Sequence, residues 1–177
     1  PVLTDGTAFF QLQEEFRAAF ENTVIDMPRS MLIAYPHLMN DVNIAVVTTE
    51  LTLASARDSI RVLAWLKQNA PQCKVLVVAN NVQPAVVEIS RKDFESTIER
   101  KIDLLLPADP KSLAQAAKLG QPVVEAIRGS KLSTGIISLA EIVAGSFADM
   151  ADAAPSDANS PSKKNVFASF KSMLKTK

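Results

Sequence analysis

Two polar side chains follow apolar runs in places where a strand would end. Asp26 follows the short run 24–25, and the proline at position 28 stops that strand because its ring removes a backbone donor. Asn80 ends a second run that begins at Lys74. Ligands in open α/β sheets bind outside the carboxyl ends of the strands, so Asp26 is a candidate ligand-binding group. The ordinary alternative is that Asp and Asn cap the turn that follows each strand.

The pattern of apolar residues predicts strands that alternate with helices. The predicted strands are residues 24–25, 42–49, 74–80 and 102–106. The predicted helices are residues 8–20, residues 52–69 capped by Thr52, a helix opened by Ser90, residues 111–119 ended by Gly120 in a left-handed cap, and residues 133–145. Such alternation predicts an α/β fold with a mostly parallel sheet flanked by helices.

Composition narrows the class of protein. The 177 residues include 19 basic and 19 acidic side chains, so net charge gives no support to nucleic-acid binding. Cys73 is the single cysteine, which rules out an internal disulfide and favours a cytosolic protein. No apolar run approaches membrane-spanning length, and no signal peptide is visible. His37 has no metal-ligand spacing around it and is expected to be structural. Because the sequence begins with Pro1, we expect a processed, excised or cloned chain.

The composition changes near the end of the chain. Residues 1–147 are predicted to form the folded domain, residues 148–162 a flexible linker rich in Ala, Asp, Ser and Pro, and residues 163–177 a basic amphipathic tail. The tail residues expected to contact a partner or an anionic membrane surface are Val166, Phe167, Phe170, Met173, Leu174, Lys163, Lys164 and Lys171. A solvated, disordered tail is the alternative.

Seven motifs occur in an order that resembles a known family. They lie at residues 24–29, 42–50, 55–61, 77–80, 89–94, 106–110 and 116–120. Together they resemble the later two-thirds of the MinD/ParA family of deviant P-loop ATPases. Within that family the likeness is to the CpaE/TadZ branch, which helps assemble and position Flp-type (tight-adherence) pili. The resemblance covers residues 8–146 and implies an incomplete P-loop NTPase fold.

The resemblance also implies roles for individual residues. Asp26 matches the acid that holds magnesium through water beside the γ-phosphate, and Asn80 matches the Asn that recognises adenine. The loop from Pro107 to Asp109 matches the segment that closes over the base. Asn81 stands where the family usually has an Arg that stacks on the base. The alternatives are that Asn80 caps a turn and that Pro107 and Asp109 start a helix.

The sequence departs from the family at the phosphate site. A P-loop needs glycines and a lysine so that backbone amides can cradle phosphate. The five glycines of this chain are too far apart to build such a loop. We therefore expect that this chain alone neither binds ATP or magnesium tightly nor hydrolyses ATP. Whether its parent protein hydrolyses ATP stays open. In relatives the missing strand lies mid-sheet, so we expect the sheet either to close by pairing the Asp26 strand with residues 42–49 or to be completed by another chain.

Two functions follow from the resemblance. In the first, the chain is part of an ATP-dependent switch for Flp pilus assembly and polar localisation. This switch would self-associate, as a homodimer, and would recruit the pilus secretion machinery. The second is a non-catalytic scaffold or localisation module of the same fold. Both predict a cytoplasmic protein or one held peripherally at the inner membrane or cell pole, with no nucleic acid as partner.

Overall fold

The computed structural model describes residues 5–83 and 88–153, with side chains up to residue 147. Helices and strands alternate along much of this part, as predicted. The elements in chain order are α1 (Gly6–Ala19), α2 (Arg29–Ala34), a 3₁₀ helix (Pro36–Met39), β1 (Ile44–Thr49), α3 (Leu53–Asn69), β2 (Lys74–Val82), α4 (Arg91–Thr97), β3 (Leu104–Pro107), α5 (Pro110–Leu119), α6 (Val123–Ala126) and α7 (Lys131–Ala153).

The three strands form one sheet in the order β1-β2-β3. β2 and β3 run parallel, and Val78 is paired with Leu104, Ala79 with Leu105 and Val82 with Pro107. In β2 the residues from Leu76 to Ala79 are almost fully buried, which explains their unbroken apolar run. The predicted α/β class, with a parallel sheet flanked by helices, is confirmed.

Capping side chains set several helix ends where the sequence predicts them. The Thr52 hydroxyl accepts from the Ser55 N–H at the start of α3, and the Ser90 hydroxyl accepts from the Asp93 N–H at the start of α4. Gly120 ends α5 with φ of 61°, in the left-handed region that glycine adopts without steric cost. These local signals fix the starts of α3 and α4 and the end of α5.

The predicted strand at 24–25 is wrong. Residues 22–28 belong to no helix or strand, and the Val24 side chain is 95% exposed. Within the described part of the chain, residues 22–27 make no backbone hydrogen bond. A strand exists only when a neighbour satisfies its backbone groups, and none of the described strands pairs with this segment. The sheet therefore does not close by pairing residues 24–25 with β1.

The chain divides into two compact units, each with its own core. The first contains residues 5–76 and 88–101, and the second contains residues 77–83 and 102–153. One cluster of buried residues in the first unit is Leu32, Met39, Leu66, Ala70 and Cys73. One cluster in the second unit is Val78, Leu106, Ala116, Val123 and Leu132.

The last helix is longer than predicted. α7 continues to Ala153, so residues 148–153 of the predicted linker are helical. The rest of the linker and the whole tail, residues 163–177, lie outside the described residues, as do the tail's predicted contact residues. None of the helices within residues 5–83 and 88–153 is both long and apolar enough to cross a membrane.

Candidate functional site

The second unit contains the three residues predicted to face a nucleotide base, Asn80, Pro107 and Asp109. Asn80 lies near the carboxyl end of β2, and Pro107 is the last residue of the neighbouring β3. Val82 is paired with Pro107, and the Ala108 N–H donates to the Val82 carbonyl at 3.1 Å. Because the two strands are parallel, their carboxyl ends meet at one edge of the sheet, where ligands of α/β proteins bind.

A break in the strand pairing occurs at Asn80 and Asn81. The register shifts between Ala79 and Val82, so that Asn80 and Asn81 face the single residue Leu106 on β3. Asn81 has φ of 56°, in the left-handed region. Such a bulge bends the strand and changes the direction of a side chain, and bulges are frequent beside binding sites. Both asparagines are exposed, so Asn80 is accessible to a ligand.

The sequence held one signal for this bulge. Asn tolerates the left-handed region better than other residues with a side chain, so two asparagines at the end of an apolar run favour an irregular strand end. In the sequence, Asn81 stands out only as a departure from the Arg that the family usually has at this position. The structure gives it a backbone role as well, because its conformation coincides with the register shift.

Asp109 has a structural role that can be seen directly. It is the N-cap of α5, and its Oδ1 accepts from the Ser112 N–H at 3.0 Å. Hydrogen bonds from the Ser112 side chain and backbone hold the pKa of Asp109 below its ordinary value. The alternative interpretation of Asp109 as a helix start is thus confirmed. A carboxylate has four acceptor sites, so this cap leaves it capacity for a further donor.

Two features hold β3 in register beneath this site. Val77 and Asp103 form a pair of hydrogen bonds: the Val77 N–H donates to Asp103 Oδ2 at 2.7 Å, and the Asp103 N–H donates to the Val77 carbonyl at 2.8 Å. On α7, a Cβ added to Gly135 would lie 2.8 Å from Leu106 Cδ2. Glycine therefore allows α7 to pack closely on the strand that presents Pro107.

Asp26 lies in the first unit, in the exposed segment described above. Met27, the next residue, packs against the core of that unit. Arg29 begins α2, and its Nη1 contacts Asp58 Oδ1 on α3 at 2.6 Å. These contacts fix the chain on the carboxyl side of Asp26, whereas residues 22–25 have no comparable contact among those described.

The described residues show neither a metal-binding cluster nor a loop of closely spaced glycines. No group of three or more His, Cys, Asp and Glu within residues 5–83 and 88–153 is arranged to hold a metal ion. The glycines of this part serve elsewhere: Gly120 caps a helix and Gly135 lies in α7. His37 packs edge-on against Phe9 and Tyr35, which agrees with its expected structural role.

Comparison with known proteins identifies the fold. The chain is similar to a ParA family ATPase from Chlorobium tepidum TLS, with a TM-score of 0.67 and 18% sequence identity over 76% of this chain and 55% of that one. It is also similar to the septum site-determining protein MinD of Pyrococcus horikoshii OT3, solved as a complex with Mg-ADP, with a TM-score of 0.64 and 19% identity over 78% of this chain and 56% of that one. No protein-family model and no curated protein sequence matches the chain.

These similarities establish a MinD/ParA-like fold for the part of the chain that aligns. At such low identity the likeness shows the fold alone. The chain spans just over half the length of each of these two structures. Its activity, its ligands and its partners are therefore matters for proposal.

Proposed function

We propose that this chain is a portion of a CpaE/TadZ-like, nucleotide-responsive protein that acts in the assembly and polar localisation of Flp (Tad) pili. The observation that carries the proposal is the parallel pairing of β2, which contains Asn80 near its carboxyl end, with β3, which ends at Pro107 and leads to Asp109. The ordered motifs of the sequence and the MinD/ParA-like fold support it. The pilus assignment rests on the resemblance of the motifs alone.

The proposed role of these residues is to recognise the base of ATP. The Asn80 side-chain amide both donates and accepts, which is what the edge of adenine requires. Pro107 offers an apolar ring surface, and Asp109 a carboxylate with acceptor capacity beyond its cap to α5. The bulge at Asn80 and Asn81 would present the amide away from the strand ladder.

Phosphate and magnesium are proposed ligands of the parent protein rather than of this chain alone. The described residues contain no loop of closely spaced glycines that could cradle phosphate, and we therefore propose no hydrolysis by this chain. Asp26 would hold magnesium, through water, once another polypeptide segment supplies the phosphate-binding loop. That segment would also give residues 22–27 the strand neighbour that they lack here.

A second candidate is a non-catalytic scaffold of the same fold. Asn81 favours it, because it stands where the family usually has a base-stacking Arg, whereas the missing phosphate loop is explained equally well if the chain is a portion of a true ATPase. In this case Asp109 only caps α5, and Asn81 only allows the bulge at the end of β2. The protein would then act in localisation, in recruitment of the pilus secretion machinery or in self-association. None of these roles would respond to nucleotide.

Calorimetric titration with Mg-ATP separates the two candidates. The switch predicts weak binding of ATP in preference to GTP, lost in Asn80→Ala and kept in the control Asn22→Ala, which is also exposed. Equal binding of GTP, or binding that survives Asn80→Ala, would contradict the proposed base site. No binding of either nucleotide to the wild-type chain would favour the scaffold.

The tail supplies the proposed contact with an anionic membrane surface, at the inner membrane or cell pole. Changing Phe167 and Phe170 to Asp should abolish binding to vesicles that contain phosphatidylglycerol, because burial of each apolar side chain contributes about 1.5–3 kcal/mol. Cosedimentation with vesicles measures it, with Ser169→Asp as the matched control. Unchanged binding of the double variant would reject the membrane role.

A further inference from the structure

One face of α3 carries a stripe of exposed side chains that are either basic or apolar. The members of this α3 stripe are Leu53, Arg57, Ile60, Arg61 and Lys67. At 3.6 residues per turn these five positions fall within an arc of about 120°, on one side of the helix. All five are exposed, and none is acidic. The stripe runs from Leu53 to Lys67, a rise of about 21 Å at 1.5 Å per residue.

Three guanidinium groups surround a single carboxylate at the edge of this stripe. Asp58 Oδ1 lies 2.6 Å from Arg29 Nη1 and 3.7 Å from Arg61 Nη1. The charge of Arg57 also acts on Asp58, together with those of Arg29 and Arg61. Three positive charges against one negative charge leave a local excess of two. Arg57 makes no ion pair with any residue that the structure describes.

Large apolar side chains are exposed among these charges. Leu53 is 61% exposed and Ile60 is 42% exposed, both on the α3 stripe. Apolar side chains exposed together, rimmed by polar groups, mark surfaces that bind other proteins or membranes.

We infer that the α3 stripe, with Arg29 beside it, is a docking surface for an acidic amphipathic helix of a partner protein. Leu53 and Ile60 would bury the apolar face of that helix, as in the binding of a helix to a hydrophobic surface. Arg57 and Arg61 would pair with its carboxylates, since a guanidinium matches a carboxylate in a two-pronged geometry. A helix of about four turns matches the length of the stripe.

The chemistry of the surface favours an acidic protein segment over nucleic acid. Arg29 already binds a carboxylate of this chain at 2.6 Å, so the geometry suits carboxylate ligands. Leucine and isoleucine exposed between the arginines would gain nothing from a phosphate backbone, whereas they would be buried by the apolar face of a helix. The chain as a whole has no net charge, so the positive potential is local to this face. This inference does not depend on nucleotide binding.

The test uses a synthetic peptide of eighteen residues, designed as an amphipathic helix with Leu on one face and Glu on the other. Fluorescence anisotropy of the labelled peptide measures its binding to the full 177-residue chain. A matched peptide has Gln in place of every Glu. We expect the Glu peptide to bind at least tenfold more tightly than the Gln peptide, with an affinity that falls as sodium chloride is raised.

Charge reversal identifies the surface. The double variant Arg57→Glu and Arg61→Glu should weaken binding of the Glu peptide at least tenfold, and Ile60→Ser should weaken it as well. The control variant Lys92→Glu and Lys118→Glu makes the same change in net charge on exposed residues of α4 and α5 and should leave binding unchanged. Circular dichroism checks that each variant is folded.

Three results would overturn the inference. The first is that the wild-type chain binds the Glu peptide no better than the Gln peptide. The second is that charge reversal at Arg57 and Arg61 has no larger effect than the control variant. The third is that the charge reversal abolishes binding to phosphatidylglycerol vesicles while leaving peptide binding intact, which would make the surface a membrane contact.

Discussion

The ends of β2 and β3 differ from the segment around Asp26, although the sequence predicts that each presents a polar residue after a strand. Asn80 and Pro107 lie on strands that are paired with each other. Asp26 follows two apolar residues that are exposed and make no backbone hydrogen bond among those described. The same local pattern thus gives a strand in one region and an exposed segment in the other.

The difference shows that the neighbour, rather than the apolar run, decides whether a strand forms. The β-propensity of Val24 and Ile25 reflects how well such side chains pack on a sheet that already exists. β2 has neighbours on both sides, whereas residues 22–27 have none within the described chain. We infer that a fixed position of Asp26 depends on a further polypeptide segment, whereas Asn80 and Pro107 are positioned by paired strands of this chain.

The largest expected contrast is in amide hydrogen exchange. Amides of β2 from Val77 to Ala79 should be protected, because their exchange requires the sheet to open. Amides from Thr23 to Ile25 should exchange at rates near those of an unfolded peptide. With a domain stability of several kcal/mol, the difference is expected to exceed about a thousandfold. Exchange followed by mass spectrometry or NMR measures it, and equal protection of the two segments would mean that residues 23–25 are paired in solution.

Truncation of one apolar side chain in each region should sharpen the comparison. Leu106→Ala removes a buried side chain from the core of the second unit and should lower the free energy of unfolding by about 2–5 kcal/mol. Val24→Ala removes an exposed side chain and should change it by less than about 0.5 kcal/mol. Urea denaturation measures both. A large cost for Val24→Ala would show that this side chain is buried in solution.

The anchor beneath β3 should have an intermediate effect. Asp103→Ala leaves the N–H of Val77, a fully buried residue, without its acceptor and should cost about 1–3 kcal/mol in the free energy of unfolding. Asp103→Asn keeps an acceptor oxygen and should cost less. Urea denaturation of the two variants isolates the hydrogen bond between the Val77 N–H and the Asp103 side chain. Equal losses in the free energy of unfolding would indicate that this hydrogen bond does not stabilise the fold.

Signals that act within a few residues allowed the sequence to predict much of the fold. Thr52, Ser90 and Gly120 stand at helix ends because their side-chain or backbone preferences act locally. The three observed strands lie within or near the predicted apolar runs. The failure at 24–25 has a non-local cause, since pairing depends on a neighbour that the run itself does not encode.

The candidate site was predictable in its residue types but not in its geometry. The resemblance to the MinD/ParA family indicates Asn80, Pro107 and Asp109, and the parallel pairing of β2 and β3 explains why their positions lie at one edge of the sheet. The two asparagines favour an irregular strand end, but the position of the bulge depends on how β2 aligns with β3, which no short pattern specifies. The basic and apolar surface on α3 was also missed, because only the packed helix reveals which of its faces remains exposed.

The smallest expected effect is an acid-dependent one at Asp109. Its pKa is lowered in the folded chain by hydrogen bonds from Ser112. Its contribution to stability is therefore fully present above the pKa that the Asp109 carboxyl has in the unfolded chain, about 4. That contribution is lost as the pH falls through the folded pKa. Asp109→Asn keeps an oxygen that can cap α5 but cannot titrate, so its stability should fall less between pH 5 and pH 3 than that of the wild type. Urea denaturation across this range measures the difference. If the two proteins lose stability equally between pH 5 and pH 3, the hydrogen bonds from Ser112 do not favour the charged form of Asp109. The Asp109 carboxylate would then be as available to a ligand as one that caps no helix.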